Sequence, residues 1–173
     1  MTRPLELHKD YLDMLDALSR HGVDYVVIGG FAVAAHGFFR ATKDLDILVR
    51  ATAANADRVV RALAEYGAPI FDATAQDFAV GGTVFQIGVA PRRIDILTSA
   101  SGLPFEEAIS TKIVLHHQER EIPIVGLEAL LKNKRAAGRP EDRRDVLELE
   151  KLHDLKPRSP THPRSKSKAR RRK

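Results

Sequence analysis

Three aspartates in this chain stand where strand-like patterning would turn them toward one place. Asp44 and Asp46 flank Leu45 at the head of the run Asp44-Leu-Asp-Ile-Leu-Val49, and Asp95 lies between Ile94 and Ile96. Successive side chains of a strand point to opposite faces, so residues two apart share a face. Asp44 and Asp46 then project side by side, about 7 Å apart at the backbone. If the strand of Asp95 lies next to theirs, all three carboxylates converge. Left uncompensated, three close carboxylates repel until at least one holds a proton. A hard divalent cation such as Mg²⁺ (or Mn²⁺) removes that repulsion and takes oxygen ligands of this kind. A second feature lies upstream, in Val27-Ile-Gly-Gly-Phe31. Glycines let the backbone approach a ligand closely, and a following helix would aim its free N–H groups at the same spot, which makes a phosphate cradle. A phosphate cradle beside metal-binding carboxylates describes a two-metal displacement at phosphorus.

The elements that must hold these residues can be read from periodicity. Leu5, Leu7, Tyr11, Leu12, Met14, Leu15 and Leu18 recur near every 3.6 residues, which predicts an amphipathic helix over residues 4–20, with Pro4 in its first turn. Tyr25–Ile28 reads as a buried strand stopped by Gly29-Gly30. Phe31–His36 reads as a short helix, Leu45–Val49 as a second strand with Asp44 at its entrance, and residues 54–66 as a helix ended by Gly67. Phe78–Val80 and Val84–Val89, joined by Gly81-Gly82, read as a hairpin, since such a pair favours a two-residue turn. Arg93–Leu97 is a further strand. After a loop over Ser99–Pro104, short strands near Ile113–Leu115 and Ile122–Val125 precede helices over Leu127–Ala137 and Pro140–Leu152. The expected fold is α/β: a small twisted mixed sheet flanked by helices, with the two C-terminal helices closing the cleft.

Composition narrows the class. At 173 residues and 43% hydrophobic content, the chain holds one domain with a real core. There is no cysteine, so disulfides and thiolate metal sites are excluded. No apolar run approaches the roughly 18 residues needed to span a bilayer, and a cytoplasmic protein is the default expectation. The net charge of +5 is misleading. Residues 156–173 hold nine Lys/Arg and no acid, leaving 19 bases against 23 acids over residues 1–155, a net of −4. The basic character thus belongs to a tail with no large apolar residue, expected to be disordered, and the domain at 1–155 is mildly acidic. Nucleic-acid-binding faces are usually strongly basic, which argues against a large one on the domain.

Gly29-Gly30, thirteen residues, then Asp44-Leu-Asp46, with the later strand residue Asp95, resembles the signature of the nucleotidyltransferase superfamily with the polymerase-beta-like fold. The stretch VIGGFAVAAHGFFRATKDLDILV is similar to small prokaryotic members grouped with the AbiEii-type toxin transferases (the MNT-like group). The segment Leu130–Asp142, with a lysine before Gly138-Arg139-Pro140, looks like that group as well. The resemblance covers about residues 20–150. It implies transfer of a nucleoside monophosphate from an NTP to an acceptor hydroxyl, on RNA such as tRNA, a protein or a small molecule. Asp44 and Asp46 would bridge the metals that grip the triphosphate. Asp95 would complete the metal site and help deprotonate the acceptor. Gly29 and Gly30 would bind the β- and γ-phosphates, with only backbone donors where many members carry a serine at Gly30. Lys134 is the expected triphosphate contact, with Lys132 its competitor.

Plainer readings exist beside these. An isolated Asp-x-Asp is commonly a strand entrance, and a Gly-Gly pair commonly a turn. His36 packs at a helix end or lies near the substrate. Arg40 orders the loop before Asp44 or, as we expect, stabilises charge on the nucleotide. Lys134 and Arg139 sit near helix ends, where bases often serve as solvated caps. Asp142 is expected to cap the last helix or pair with a base, and His116-His117 to lie on a loop or edge strand. The alternative class is a non-catalytic nucleotide-binding or antitoxin-like module of a toxin–antitoxin pair. The basic tail could add phosphate contacts to a nucleic acid.

Overall fold

The computed structural model describes residues 7–70 and 73–155. Pro4, Leu5 and the basic tail, on which three of the expectations above rest, lie outside the described residues. The elements run α1 (Lys9–Arg20), β1 (Tyr25–Ile28), α2 (Gly29–Ala35), β2 (Asp44–Val49), α3 (Ala53–Tyr66), α4 (Ala75–Ala79), β3 (Val84–Ile87), β4 (Arg93–Leu97), α5 (Phe105–Ser110), β5 (Ile113–His117), β6 (Arg120–Ile124), α6 (Leu127–Ala137) and α7 (Pro140–Leu152). The strands form one six-stranded sheet in the order β3-β4-β2-β1-β6-β5. It is mixed: β2 runs parallel to β4 and β1 to β6, while the other neighbours are antiparallel. The α/β expectation, a mixed sheet flanked by helices, is therefore met.

Alternation along the central strands decides which side becomes core. Leu45, Ile47, Val49, Ile94 and Ile96 are all sealed from solvent. They share one core with Met14, Leu15 and Leu18 of α1 and Val59 and Leu63 of α3. Each such side chain contributes about 1.5–3 kcal/mol by leaving water. On the opposite face, Asp44 and Asp46 stay half-buried. One polar residue is built into the frame. Asn55, 1% exposed, accepts from the Asp24 N–H and donates to the carbonyls of Asp24 and Arg50, tying the start of α3 to the ends of β1 and β2.

Three expectations are corrected. Phe78 is not in a strand: it lies in α4, started by a capping box between Thr74 and Asp77, and its ring is fully buried edge-on to Phe85. Gly81-Gly82 thus leads from a helix into β3, and β3 pairs antiparallel with β4 across the turn that follows Ile87. Tertiary burial of one aromatic overrode a local turn signal. Helix α1 begins at Lys9, where the His8 side chain accepts from the Asp10 N–H, so that Leu7 and His8, expected in the helix, precede it. Helix α5, within a stretch for which no helix was expected, is only six residues long and too short to show a period. The helices at 53–66, 127–137 and 140–152 fall where periodicity placed them, and His116-His117 ends the edge strand β5.

Candidate active site

The register of β2 against β4 builds the centre of the site. The strands are parallel neighbours in which Asp46 faces Asp95 and Asp44 faces Arg93. Residues one pleat apart share a face, so this register gathers three acids and one arginine. Arg93 bridges two of the acids. Its Nε donates to Asp95 Oδ1 at 2.9 Å, and its Nη2 donates to Asp95 Oδ2 at 3.0 Å and to Asp44 Oδ2 at 2.8 Å. The other oxygen of Asp44, Oδ1, is buried without a hydrogen-bond partner. A buried carboxylate oxygen left bare costs free energy unless a proton or cation meets it. Asp46 shows the same shortfall of positive charge. Burial pushes its carboxyl up to about 6, and the neighbouring charges of Asp95 and Asp44 add to the rise, against an opposing pull from Lys134 and Arg139.

The glycines adjoin this cluster by steric necessity. Gly29 and Gly30 are themselves the first residues of α2, and Gly29 takes φ +67°, a left-handed conformation that strains any residue with a Cβ. A Cβ on Gly29 would stand 2.0 Å from Asp46 Oδ2, and one on Gly30 2.4 Å from Thr42 Oγ1. The turn can lie against Asp46 only because nothing projects from it. A serine at Gly30 would likewise require Thr42 to move. Gly29→Ala is therefore expected to displace the Asp46 carboxylate and to cost about 1–3 kcal/mol from its φ alone. Urea unfolding together with a nucleotide-binding titration checks this, and a variant with wild-type values in both would contradict it.

Basic side chains reach the cleft from two sides, each tied to a buried acid. Arg40 donates from Nε and Nη2 to the two oxygens of Asp145, at 2.6 and 2.8 Å. Lys134, only 3% exposed, sits 2.8 Å from Asp142 Oδ1 and 2.9 Å from Asp145 Oδ2. Arg139 Nε donates to Asp142 Oδ2 at 2.7 Å, and the same oxygen accepts the Arg139 backbone N–H at 3.2 Å. Asp142 and Asp145 are fully buried. Burial works to raise both carboxyls, yet hydrogen bonds from Arg139 and Lys134 to Asp142, and from Arg40 and Lys134 to Asp145, outweigh it and hold both below the usual range. This network clamps the start of α7 to α6 and to the loop before β2. Asp142 thus both caps α7 and pairs with bases, as its position suggested.

Gly29, Gly30, Arg40, Asp44, Asp46, Asp95 and Lys134 all line one cleft of about 300 Å³, together with Thr42, Arg93, Arg139 and Glu141. That is the low end of the size of small-ligand sites. Lys132, the competitor to Lys134, instead pairs with Glu107 at 2.5 Å beside a separate hollow of about 510 Å³. No carboxylate lines that larger hollow, whereas Asp44, Asp46, Asp95 and Glu141 line the smaller cleft. His36 is committed to packing: its Nε2 lies 2.8 Å from the Val125 carbonyl, and burial holds its pKa down. Sequence reasoning passed over Arg93 and Asp145. Arg93 was within reach of the same alternation rule, being two residues from Asp95 on its strand. Asp145 carried no such signal, since its role depends on Arg40, 105 residues away.

The donor set suits a divalent cation in chemistry, with three carboxylates, a bare buried oxygen on Asp44 and a carboxyl on Asp46 raised by burial and by its neighbours. Among the described residues, no three acidic or histidine side chains already stand as one ligand set. Arg93 is ion-paired to two of the three acids, Asp44 and Asp95.

The chain is similar to known proteins in sequence and in fold. Residues 10–150 match the family model of aminoglycoside-2''-adenylyltransferases. The fold is similar to that of a proposed nucleotidyltransferase from Thermotoga maritima, with a TM-score of 0.53 and 15% sequence identity over 86% of this chain and 96% of that one. At that identity the likeness concerns the fold alone. Among curated proteins none matches the chain. No helix among the described residues is long and apolar enough to cross a membrane. With the family match spanning residues 10–150 and a nucleotidyltransferase-like sheet beneath the cleft, the chain belongs to the aminoglycoside-2''-adenylyltransferase family of the nucleotidyltransferase superfamily.

Proposed function

We propose that the protein transfers a nucleoside monophosphate from an NTP to an acceptor hydroxyl, releasing pyrophosphate, and that the cleft between β2, β4 and the α6–α7 corner is where it does so. The observation that carries this reading is the parallel register that sets Asp46 beside Asp95, with Asp44 one pleat away and Gly29 against Asp46. Asp44, Asp46 and Asp95 would hold Mg²⁺ or Mn²⁺. When bound, the cation neutralises charge on the triphosphate and on the leaving pyrophosphate. The backbone N–H groups of Gly29 and Gly30 would receive the β- and γ-phosphates. Arg40 and Lys134 add positive potential at the cleft wall while anchored to Asp145 and Asp142, so they act as fixed charges that need no reorganisation. Asp95 is the group we assign to accept the proton of the attacking hydroxyl. Catalysis in this scheme comes from positioning and charge neutralisation.

The family description makes ATP and an aminoglycoside the first donor and acceptor to test. The likeness of Val27–Val49 to AbiEii-type transferases keeps tRNA and protein hydroxyls as the next acceptors. Label transfer decides among them. Purified protein is incubated with each α-labelled NTP, Mg²⁺ or Mn²⁺, an aminoglycoside panel, and cell extract fractionated into RNA, protein and small molecules. Label is expected in one acceptor class. Tight Mg-NTP binding with no transfer to any acceptor would favour the nucleotide-binding or antitoxin-like reading instead. Deleting residues 157–173 is expected to leave transfer unchanged, while any salt-sensitive binding to RNA in a filter assay falls away. Loss of transfer on that deletion would place the tail in the reaction.

A further inference from the structure

The arginine between the acids has a role of its own to explain. Arg93 is the partner of Asp44 across the β2–β4 ladder, and its guanidinium is the one cationic group hydrogen-bonded to both Asp44 and Asp95 among the described residues. Lys134 and Arg139 are already engaged by Asp142. Arg93 also leaves one oxygen of Asp44 unpartnered, so its compensation of the acids is incomplete. Its side chain is 32% exposed, which leaves it a route out toward solvent. An arginine fork suits two-carboxylate bridging, whereas a lysine makes only a point contact.

We propose that Arg93 is an internal stand-in for the divalent cation: it holds the metal-free carboxylates together and must swing away before a metal–nucleotide complex can seat on Asp44 and Asp95. This rests on the metal reading given above and adds a positioning residue to it. Two consequences follow from the contacts. Free Mn²⁺ competes with a tethered cation, so its affinity without nucleotide is held down. The metal-free cleft also depends on Arg93 for its stability. Binding of metal is thereby coupled to arrival of the nucleotide, whose phosphates supply extra ligands for the ion and repay the displacement of the arginine.

The test compares wild type with Arg93→Met, Arg93→Lys, Arg92→Met and Asp46→Asn. Mn²⁺ binding to nucleotide-free protein is followed by electron paramagnetic resonance, and thermal unfolding is recorded in EDTA and in Mn²⁺. Arg93→Met is expected to bind Mn²⁺ roughly three- to tenfold more tightly, the scale of removing a partly exposed ion pair or two. It should unfold at lower temperature than wild type in EDTA, with the gap closing in Mn²⁺. Arg93→Lys should fall between. Arg92→Met removes the same charge from the exposed neighbour, and equal tightening there would show a general field effect and overturn the proposal. Equal Mn²⁺ affinity in wild type and Arg93→Met, including none in either, also overturns it. Asp46→Asn separates the two layers. If it binds Mn²⁺ as wild type does, the metal reading has failed. If it loses Mn²⁺ while Arg93→Met gains nothing, only the role of Arg93 has.

Discussion

Asp46→Asn is expected to abolish nucleotidyl transfer while making the metal-free protein more stable above about pH 6. The two effects have one origin. Burial, then the charges of Asp95 and Asp44, lift this carboxyl from an ordinary value near 3.8 to about 6, so folding disfavours its ionised form. With the folded value above the unfolded one, the penalty is absent below about pH 4, grows as pH rises through the window between them, and is complete above about pH 6. An amide cannot ionise and escapes the penalty. About two units correspond to a gain on the order of 2 kcal/mol, after allowance for the solvent that reaches a half-buried group. Urea unfolding in EDTA at pH 4 and pH 7.5 checks this, with a gain expected only at the higher pH. With Mg²⁺ supplied in place of EDTA, label transfer by this variant should be undetectable while wild type transfers. Retained transfer would remove Asp46 from the chemistry, and no gain at pH 7.5 would mean that the carboxylate is not under strain. A residue that destabilises the fold where it ionises is what a site built for a bound cation requires.

The second large effect concerns stability. Lys134→Met should cost about 3–5 kcal/mol, because it strands two fully buried carboxylates, Asp142 and Asp145, beside an apolar side chain. Each acid keeps one arginine, Arg139 or Arg40, so the fold is weakened and not abolished. The loss is expected as a lower urea midpoint with an unchanged slope. Because burying a charge is itself expensive, adding Asp142→Asn to Lys134→Met should recover part of the loss. A Lys134→Met protein as stable as wild type, with weaker nucleotide binding alone, would make Lys134 a ligand contact and not a structural ion pair.

Different parts of this molecule were legible in its sequence to different degrees. The acids could be picked out because alternation is a local property: Asp44 and Asp46 share a face whatever surrounds them, and Asp95 between two isoleucines must face away from the core. The glycines could be placed because no other residue breaks a β-branched run so abruptly. Long periodic helices such as 53–66 and 140–152 declared themselves for the same reason. The hairpin expected at Gly81-Gly82 failed because burial of Phe78 against Phe85, a contact between elements, outweighed the preference of two glycines.

By itself the sequence determined the residue types and their faces: three carboxylates on strands, a bare backbone turn ahead of them, and a mildly acidic domain carrying a basic tail. Only the tertiary structure decided how they meet. The parallel pairing of β2 with β4 joins residues 49 positions apart, and that register is what puts Arg93 between Asp44 and Asp95. The steric reason for Gly29 is likewise invisible locally, since the atom that a Cβ would strike belongs to Asp46 on the neighbouring strand. Arg40 and Asp145 show the limit most plainly. Arg40 reads alone as a loop or substrate residue and Asp145 carries no signal at all. They become a part-buried pair only because α7 folds back across the loop that leads into β2, where the fully buried Asp145 needs a partner.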